Sequence, residues 1–505
     1  MTSSQRILVN TAAQYTRTII NVCLSLYSTR LILAALGQSD YGIYSVVAGV
    51  VAMLSFMTNA LVTTTQRYLS FYHGKKDYSK VHLIFGNSLL LHLIIGGGIV
   101  ALLSILAYPI VHSMLNINPT RHTAAFCVFG AASLMLCLTF FTAPFRALFI
   151  ARENIIYISI IDVLDGVLKL LIAIFLTHVT SYDKLITYAL MLSSISIFNL
   201  LAFSCYGLKH FEECHIPRWR EWNNEHITEL SSFAGWNIYG TGCIIFRTQG
   251  IAVVLNRFFG LITNAAYGIA QQVIGSANFI SSSILSAMSP QIIKARGSGD
   301  SDRMVSLALM ACKYTTLMMS FAAIPLIAEM PTILHVWLGE YPFEAVLLCR
   351  GMLIAALVDQ WTIGLTTDNQ AVGKIAKFTF TVNTVKLLSL PAAYICAKFG
   401  MSLIAIVICF IAGELICSFL RIPFITKVTN LTFIDFHKQV TLRVLIPITT
   451  IGFATWGLIQ MNNSPYRALF TLSLIPLLGI AITYFCVLTS DEKIKIRAIF
   501  KQQKN

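Results

Sequence analysis

Eleven ionisable side chains interrupt stretches of this 505-residue chain that are otherwise apolar. Asp162, Asp165 and Lys169 are spaced by three and four residues, which sets all three on one face of a helix. Lys386 and Glu414 lie deep in two consecutive apolar runs, too far from either end to reach water, so each needs a partner or a wet cavity. Arg17, Arg247, Lys313, Arg350 and Asp359 belong to the same set. Arg30 completes it, but sits close enough to the end of its run to extend its head group out. Seven of the eleven are cations and four are acids. Arginine and lysine give charge-assisted hydrogen bonds to phosphate-like anions. Carboxylates in such places could bind H⁺ or Na⁺. A set this rich in cations suits an anionic substrate, whereas a site for cationic compounds should be dominated by acids.

The elements that must hold these residues are long apolar helices. Crossing a hydrocarbon core of ~30 Å takes about 20 mostly apolar residues. Fourteen such runs follow one another: 9–33, 41–64, 83–110, 122–148, 155–178, 184–207, 228–256, 263–288, 304–327, 343–368, 375–398, 400–422, 440–460 and 466–489. With 56% hydrophobic and 11% charged residues, the composition predicts an all-α polytopic membrane protein with 14 transmembrane helices.

Positive charge marks the cytoplasmic side of such a chain. With the N-terminus inside, 24 of the 36 lysines and arginines fall in cytoplasmic segments, five in outer segments and seven within the runs. The acids divide as 13, five and four, so the net charge is +11 inside, 0 outside and +3 within the membrane. Both termini are expected in the cytoplasm. The basic balance is mainly a matter of topology and implies no nucleic-acid partner. The twelve cysteines show no metal-ligand spacing, and eleven of them lie in apolar runs, as small buried hydrophobes do. No metal site, cofactor or nucleotide-binding P-loop is expected, so ATP is not the direct energy source.

The chain also repeats itself. Leu36-Gly37 to Tyr41-Gly42-Ile43 matches Phe259-Gly260 to Tyr267-Gly268-Ile269, and Gly74, Asp77 and Lys80 match Gly297, Asp300 and Arg303 at an offset of 223. Lys169-Leu170-Leu171 matches Lys386-Leu387-Leu388 at an offset of 217. Six runs separate equivalent points, which makes the repeat parallel about an axis along the membrane normal. Two pseudo-symmetric six-helix lobes plus two C-terminal helices follow: an N-lobe over 1–210, a cytoplasmic interlobe linker over 211–227, a C-lobe over 228–425, and helices 13 and 14 with a basic cytoplasmic tail over 426–505. In the linker, Trp219 and Trp222 beside Arg218 and Arg220 suit the lipid headgroup region. Gly96-Gly97-Gly98, Pro144 and Pro391 stand where helices could be interrupted for bending. Two such lobes suggest a transporter with alternating access. Lys169 and Lys386 would then line a central cleft at equivalent positions, or close ion pairs with Asp165 and Glu414 inside each lobe; the two roles can coexist.

The loop signatures carry a family resemblance. Arg30-Leu31, Leu36-Gly37, Asp40-Tyr41-Gly42-Ile43-Tyr44 and Gln66-Arg67-Tyr68-Leu69-Ser70 resemble the opening of polysaccharide flippases. Asn256-Arg257-Phe258-Phe259-Gly260, Asn264 to Val273 and Ser289-Pro290-Gln291-Ile292-Ile293-Lys294 resemble their second lobe. Over nearly its full length the chain is similar to Wzx-type lipid-linked oligosaccharide flippases of the MOP superfamily, which also contains the multidrug and toxin extrusion (MATE) antiporters. The resemblance implies a bacterial inner-membrane protein that moves an undecaprenyl-pyrophosphate-linked oligosaccharide from the inner to the outer leaflet. The unit would belong to O-antigen, capsule or exopolysaccharide. A cationic central cleft would receive the pyrophosphate, with Arg17, Lys169, Arg247, Lys386, Lys313 and Arg350 as candidates. Asp162, Asp165, Asp359 and Glu414 are the candidates for coupling to H⁺ or Na⁺, and buried His92 is a candidate proton relay. The lipid bilayer and the lipid-linked oligosaccharide are the expected partners, with the polymerase and glycosyltransferases of the same pathway beside them. A MATE-type cation-coupled multidrug antiporter is the alternative. An enzyme is not expected, because no loop is long enough to hold a catalytic domain.

Overall fold

The computed structural model describes residues 3–488 and 493, apart from 53, 115–117, 179–181, 218–220, 428, 430 and 462–465. The regular elements among them are all helices: α1 (Ser3–Ala52), α2 (Ser55–Gly74), α3 (Tyr78–Pro109), α4 (His122–Ala151), α5 (Ile155–His178), α6 (Lys184–His210), α7 (Asn224–Gly297), α8 (Ser301–Leu338), α9 (Glu344–Gln360), α10 (Ile363–Val372), α11 (Ile375–Lys398), α12 (Leu403–Thr426), α13 (Phe433–Phe436), α14 (Leu442–Met461) and α15 (Arg467–Ile482). Among the described residues, ten helical stretches are long and apolar enough to cross a bilayer, and α9 with α10, bent by 42°, makes an eleventh. The expected count of fourteen is not confirmed by these stretches. Run 41–64 is split between α1 and α2. Run 155–178 carries Asp162, Asp165 and Lys169 on one helix, and run 263–288 is diluted by Gln271, Gln272 and Asn278. Trp219, Arg218, Arg220 and the basic residues after Lys493 lie outside the described residues.

The chain divides into two compact units, one from Val9 to Ile238 and the other from Tyr239 onward with the first eight residues. In the first, α4 packs against α2, α3, α5 and α6. Gly96 permits the α3–α4 approach, since a Cβ there would lie 3.0 Å from that of Phe140. In the second, α8 packs against α9, α10, α14 and α15, while α12 joins α9 to α11.

The repeat is visible in backbone conformation. Gly37 (φ 76°, ψ 168°) breaks α1 and Gly260 (φ 89°, ψ 175°) breaks α7, 223 residues later, in a region that only glycine occupies readily. Asp77 caps α3 by accepting from the Lys80 N–H, and Asp300 caps α8 by accepting from that of Arg303. Before each cap a left-handed residue turns the chain, Lys76 (φ 59°) in one copy and Gly299 (φ 83°) in the other. Further on the offset falls to 220: left-handed Glu153 and Gly373 precede α5 and α11, which begin at Ile155 and Ile375.

The expected interruptions at Gly96–Gly98, Pro144 and Pro391 do not occur; α3, α4 and α11 run through them. Glycine keeps helical φ/ψ at the expense of propensity, and a proline in a membrane-spanning helix can leave it continuous when local groups re-satisfy the freed backbone. The non-helical positions inside long helices are Gly37, Gly260 and Glu329, the last two residues before Pro331 in α8.

Candidate functional site

Each unit holds its own cluster of interior charges. In the first, Asp162 on α5 accepts from two arginines: Arg17 of α1 at 2.7 Å, and Arg146 of α4 at 2.9 and 3.1 Å. One turn on, Asp165 pairs with Lys169 at 2.6 Å and accepts from the Asn199 amide at 2.8 Å. The three- and four-residue spacing read from the sequence therefore does set one face of α5 toward these partners. Arg17, Asn21, Ser25, Asp162 and Asp165 line a cavity of about 460 Å³, within the size range of small-ligand sites.

The second cluster is drier and more tightly connected. Lys386 on α11 stands 2.8 Å from Asp359 on α9 and 2.8 Å from Glu414 on α12. Glu414 also accepts from Arg247 of α7 at 2.7 Å. Asp359 accepts from Arg421 of α12 at 2.7 Å, and the same guanidinium donates to the Asp359 carbonyl and the Thr362 hydroxyl. The side chains of Lys386, Glu414 and Arg421 are only 8, 6 and 3% exposed. At that burial an ion pair must be nearly complete, because a lone charge there is several kcal/mol unfavourable.

The Glu414–Lys386 and Asp165–Lys169 pairs are those the sequence offered. Arg146 and Arg421 were missed as interior charges. Both lie near the ends of their apolar runs, but α4 and α12 continue to Ala151 and Thr426, beyond the runs, and carry them inside the bundle. The signal available for Arg421 was helical spacing, since it stands seven residues, about two turns, after Glu414 on the same helix; Arg146 offered none. Lys169 and Lys386 are not in equivalent surroundings. The helix starts put Lys386 level with Gly166 and Lys169 level with Ser389, three residues apart, or about 4.5 Å along a helix. The Lys169 side chain is 47% exposed, against 8% for Lys386.

The remaining candidates lie elsewhere. Lys313 is buried on α8, 4.9 Å from the Tyr314 ring. Arg350 of α9 donates to the carbonyls of Ile327 and Ala328 at 2.8 and 3.3 Å. Pro331 has no N–H to offer Ile327, so Arg350 serves a carbonyl that the kink in α8 leaves free. His92 is fully buried; its Nδ1 donates to the Ser88 carbonyl at 2.7 Å and its Nε2 meets no partner among the described residues. No group of three or more metal-binding side chains occurs among the described residues.

Charges at the helix ends pair within one predicted side. Arg121 holds Asp40 and Asp183, all three assigned outside. On the side predicted to be cytoplasmic, Glu213 accepts from Arg152 at 2.6 Å through both oxygens and meets His73 at 3.1 Å. Burial works to raise the Glu213 carboxyl, but His73 and Arg152 outweigh it and bring it down to about 2. The same bond raises the Arg152 guanidinium, and burial pushes the Cys214 thiol up to about 12. The linker is thereby strapped to its unit: His215 stacks on His82 with ring centres 3.6 Å apart, and Asn87 bonds the backbone of Glu221 and Asn223.

No protein-family model matches the chain, and no curated protein sequence does. Solved structures do. A MATE in the bent conformation superposes with TM-score 0.70 at 13% identity, over 90% of this chain and 98% of that one. An outward-facing multidrug resistance MATE family transporter of the MOP superfamily gives 0.70 at 12% identity, over 84% and 95%. A MOP superfamily transporter from Pyrococcus furiosus, described as having a binding pocket of reverse polarity that suggests a different function, gives 0.68 at 13% identity, over 84% and 95%. These superpositions show that the chain has the fold of the MATE transporters of the MOP superfamily.

Proposed function

We propose that this protein is a bacterial inner-membrane transporter that moves an undecaprenyl-pyrophosphate-linked oligosaccharide to the outer leaflet by alternating access. One observation carries the reading: each interior cluster holds more bases than acids. Arg17, Arg146 and Lys169 face Asp162 and Asp165; Arg247, Lys386 and Arg421 face Asp359 and Glu414. Three against two in each case leaves one cation in excess. A pyrophosphate cannot cross a low-dielectric interior bare, and arginine offers its oxygens a matched donor fork. The polymerase and glycosyltransferases of the pathway are the proposed neighbours.

The alternative, a cation-coupled multidrug antiporter, is favoured by the MATE structures among the superposable proteins. It is disfavoured by polarity, since drug cations call for an acidic interior. Reversed pocket polarity is the ground on which a different function was suggested for the Pyrococcus furiosus relative.

The test is delivery of surface polysaccharide in a deletion strain, with membrane protein level measured alongside. Arg17→Ala and Lys169→Ala should lower delivery at normal protein level, and Arg17→Glu should lower it further. Arg17→Lys should keep part of it, because charge survives without the fork. Full delivery by Ala variants of Arg17, Lys169, Arg247 and Lys386 alike would exclude a cationic site.

A further inference from the structure

The four acids expected to take up a coupling ion are all engaged by bases: Asp162 and Asp165 in one unit, Asp359 and Glu414 in the other. A carboxylate held by one or two cations at hydrogen-bond distance has little use for a proton. Asp368 is different. It lies on α10, five residues before the Gly373 turn, and is fully buried. Among the described residues neither Oδ1 nor Oδ2 has a hydrogen-bond partner. Gly364, one turn earlier, shows how closely the helix is packed. A Cβ there would fall 2.3 Å from the Ala308 carbonyl and 2.9 Å from Cys312, so α10 lies directly on α8 at that turn.

The charged and titratable groups around it are few. Arg296, at the end of α7, acts on it through space but donates its own hydrogen bond to Ser301. Cys312 on α8 is its titratable neighbour. Arg421, on the adjoining α12, is turned to Asp359. An ionised carboxylate with no donor in a dry helical interior is several kcal/mol unfavourable. A protonated one carries no net charge.

We propose that Asp368 is a proton-binding site, holding a proton in the structure described here and exchanging it only when water reaches the α8–α10 contact. The ligand is a proton rather than Na⁺ on geometric grounds. Among the described residues Thr366 Oγ1 and Asn369 Oδ1 also lack partners, but at 100° per residue Thr366 points about 160° and Asn369 about 100° away from Asp368, so the three do not converge on one cage. A role in driving transport would rest on the transporter reading above; the proton site itself does not.

The experiment is infrared difference spectroscopy on the full-length protein in liposomes, at neutral pH and with H/D exchange. Wild type should show the carbonyl band of a protonated carboxyl in an apolar site. Asp368→Asn should lose it, and Asp368→Glu should move it. The band should persist when K⁺ is replaced by Na⁺ at constant pH. A band equally strong in Asp368→Asn, or its absence from the wild type, would overturn the proposal. So would its loss on adding Na⁺. Asp368→Glu keeps the test decisive if the Asn variant does not fold. Unchanged polysaccharide delivery together with a lost band would retain the proton site and remove only its link to transport.

Discussion

At the scale of single residues, partnership decides what each interior charge can do. Lys386 bridges two carboxylates that each keep a second base, Arg421 for Asp359 and Arg247 for Glu414. Lys386→Ala therefore should weaken the unit by about 3–5 kcal/mol, the usual effect of breaking a buried pair. Adding Glu414→Gln should restore part of the loss, because one excess acid goes with the base. Thermal unfolding of the detergent-solubilised variants reads this out, and a double variant no more stable than the single one would count against the pairing. Glu213 gives a pH dependence. Its carboxyl is held at about 2 in the folded protein against an ordinary 4.5. A depressed acid stabilises fully above its unfolded value and loses that contribution as pH falls through the folded one. The melting temperature should thus decline between pH about 4.5 and 2, and Glu213→Gln should flatten that limb. An equally steep decline in the variant would place the acid sensitivity elsewhere.

At the scale of elements, the breaks in α1 and α7 are the positions most demanding of residue type. A Cβ at Gly37 or Gly260 would touch nothing. Any loss in Gly37→Ala or Gly260→Ala must then come from backbone conformation, about 1–3 kcal/mol each. Equal melting temperatures for wild type and both variants would mean that the breaks can straighten. Sequence made these elements legible to different degrees. The Asp77 and Asp300 caps and both glycine breaks stood at one offset, because local conformation is written in local residue type. Pairing across helices was harder. Asp359 with Lys386, and Asp162 with Arg146, depend on how helices far apart in sequence set their registers. Hydrophobic periodicity gives the face of a helix but not its neighbour. Arg421 and Asp368 were hidden because α12 and the α9–α10 pair outrun the apolar stretches that announce them.

At the scale of the whole molecule, charge by side fixes an expectation that helix length alone does not. With 24 basic residues assigned inside and five outside, reporter fusions at Lys209 and Lys501 should both read cytoplasmic. An outer signal at either would require an odd number of crossings before it. The C-terminal helices α14 and α15 bear on the stability of the unit they pack on. Glu329, in the second unit, is 0% exposed, and its paired base is Arg467 from α15, at 2.8 and 3.0 Å. The same helix that supplies the base also packs on α8, which carries the acid. The C-terminal helices therefore help to hold the second unit together whether or not they take part in transport.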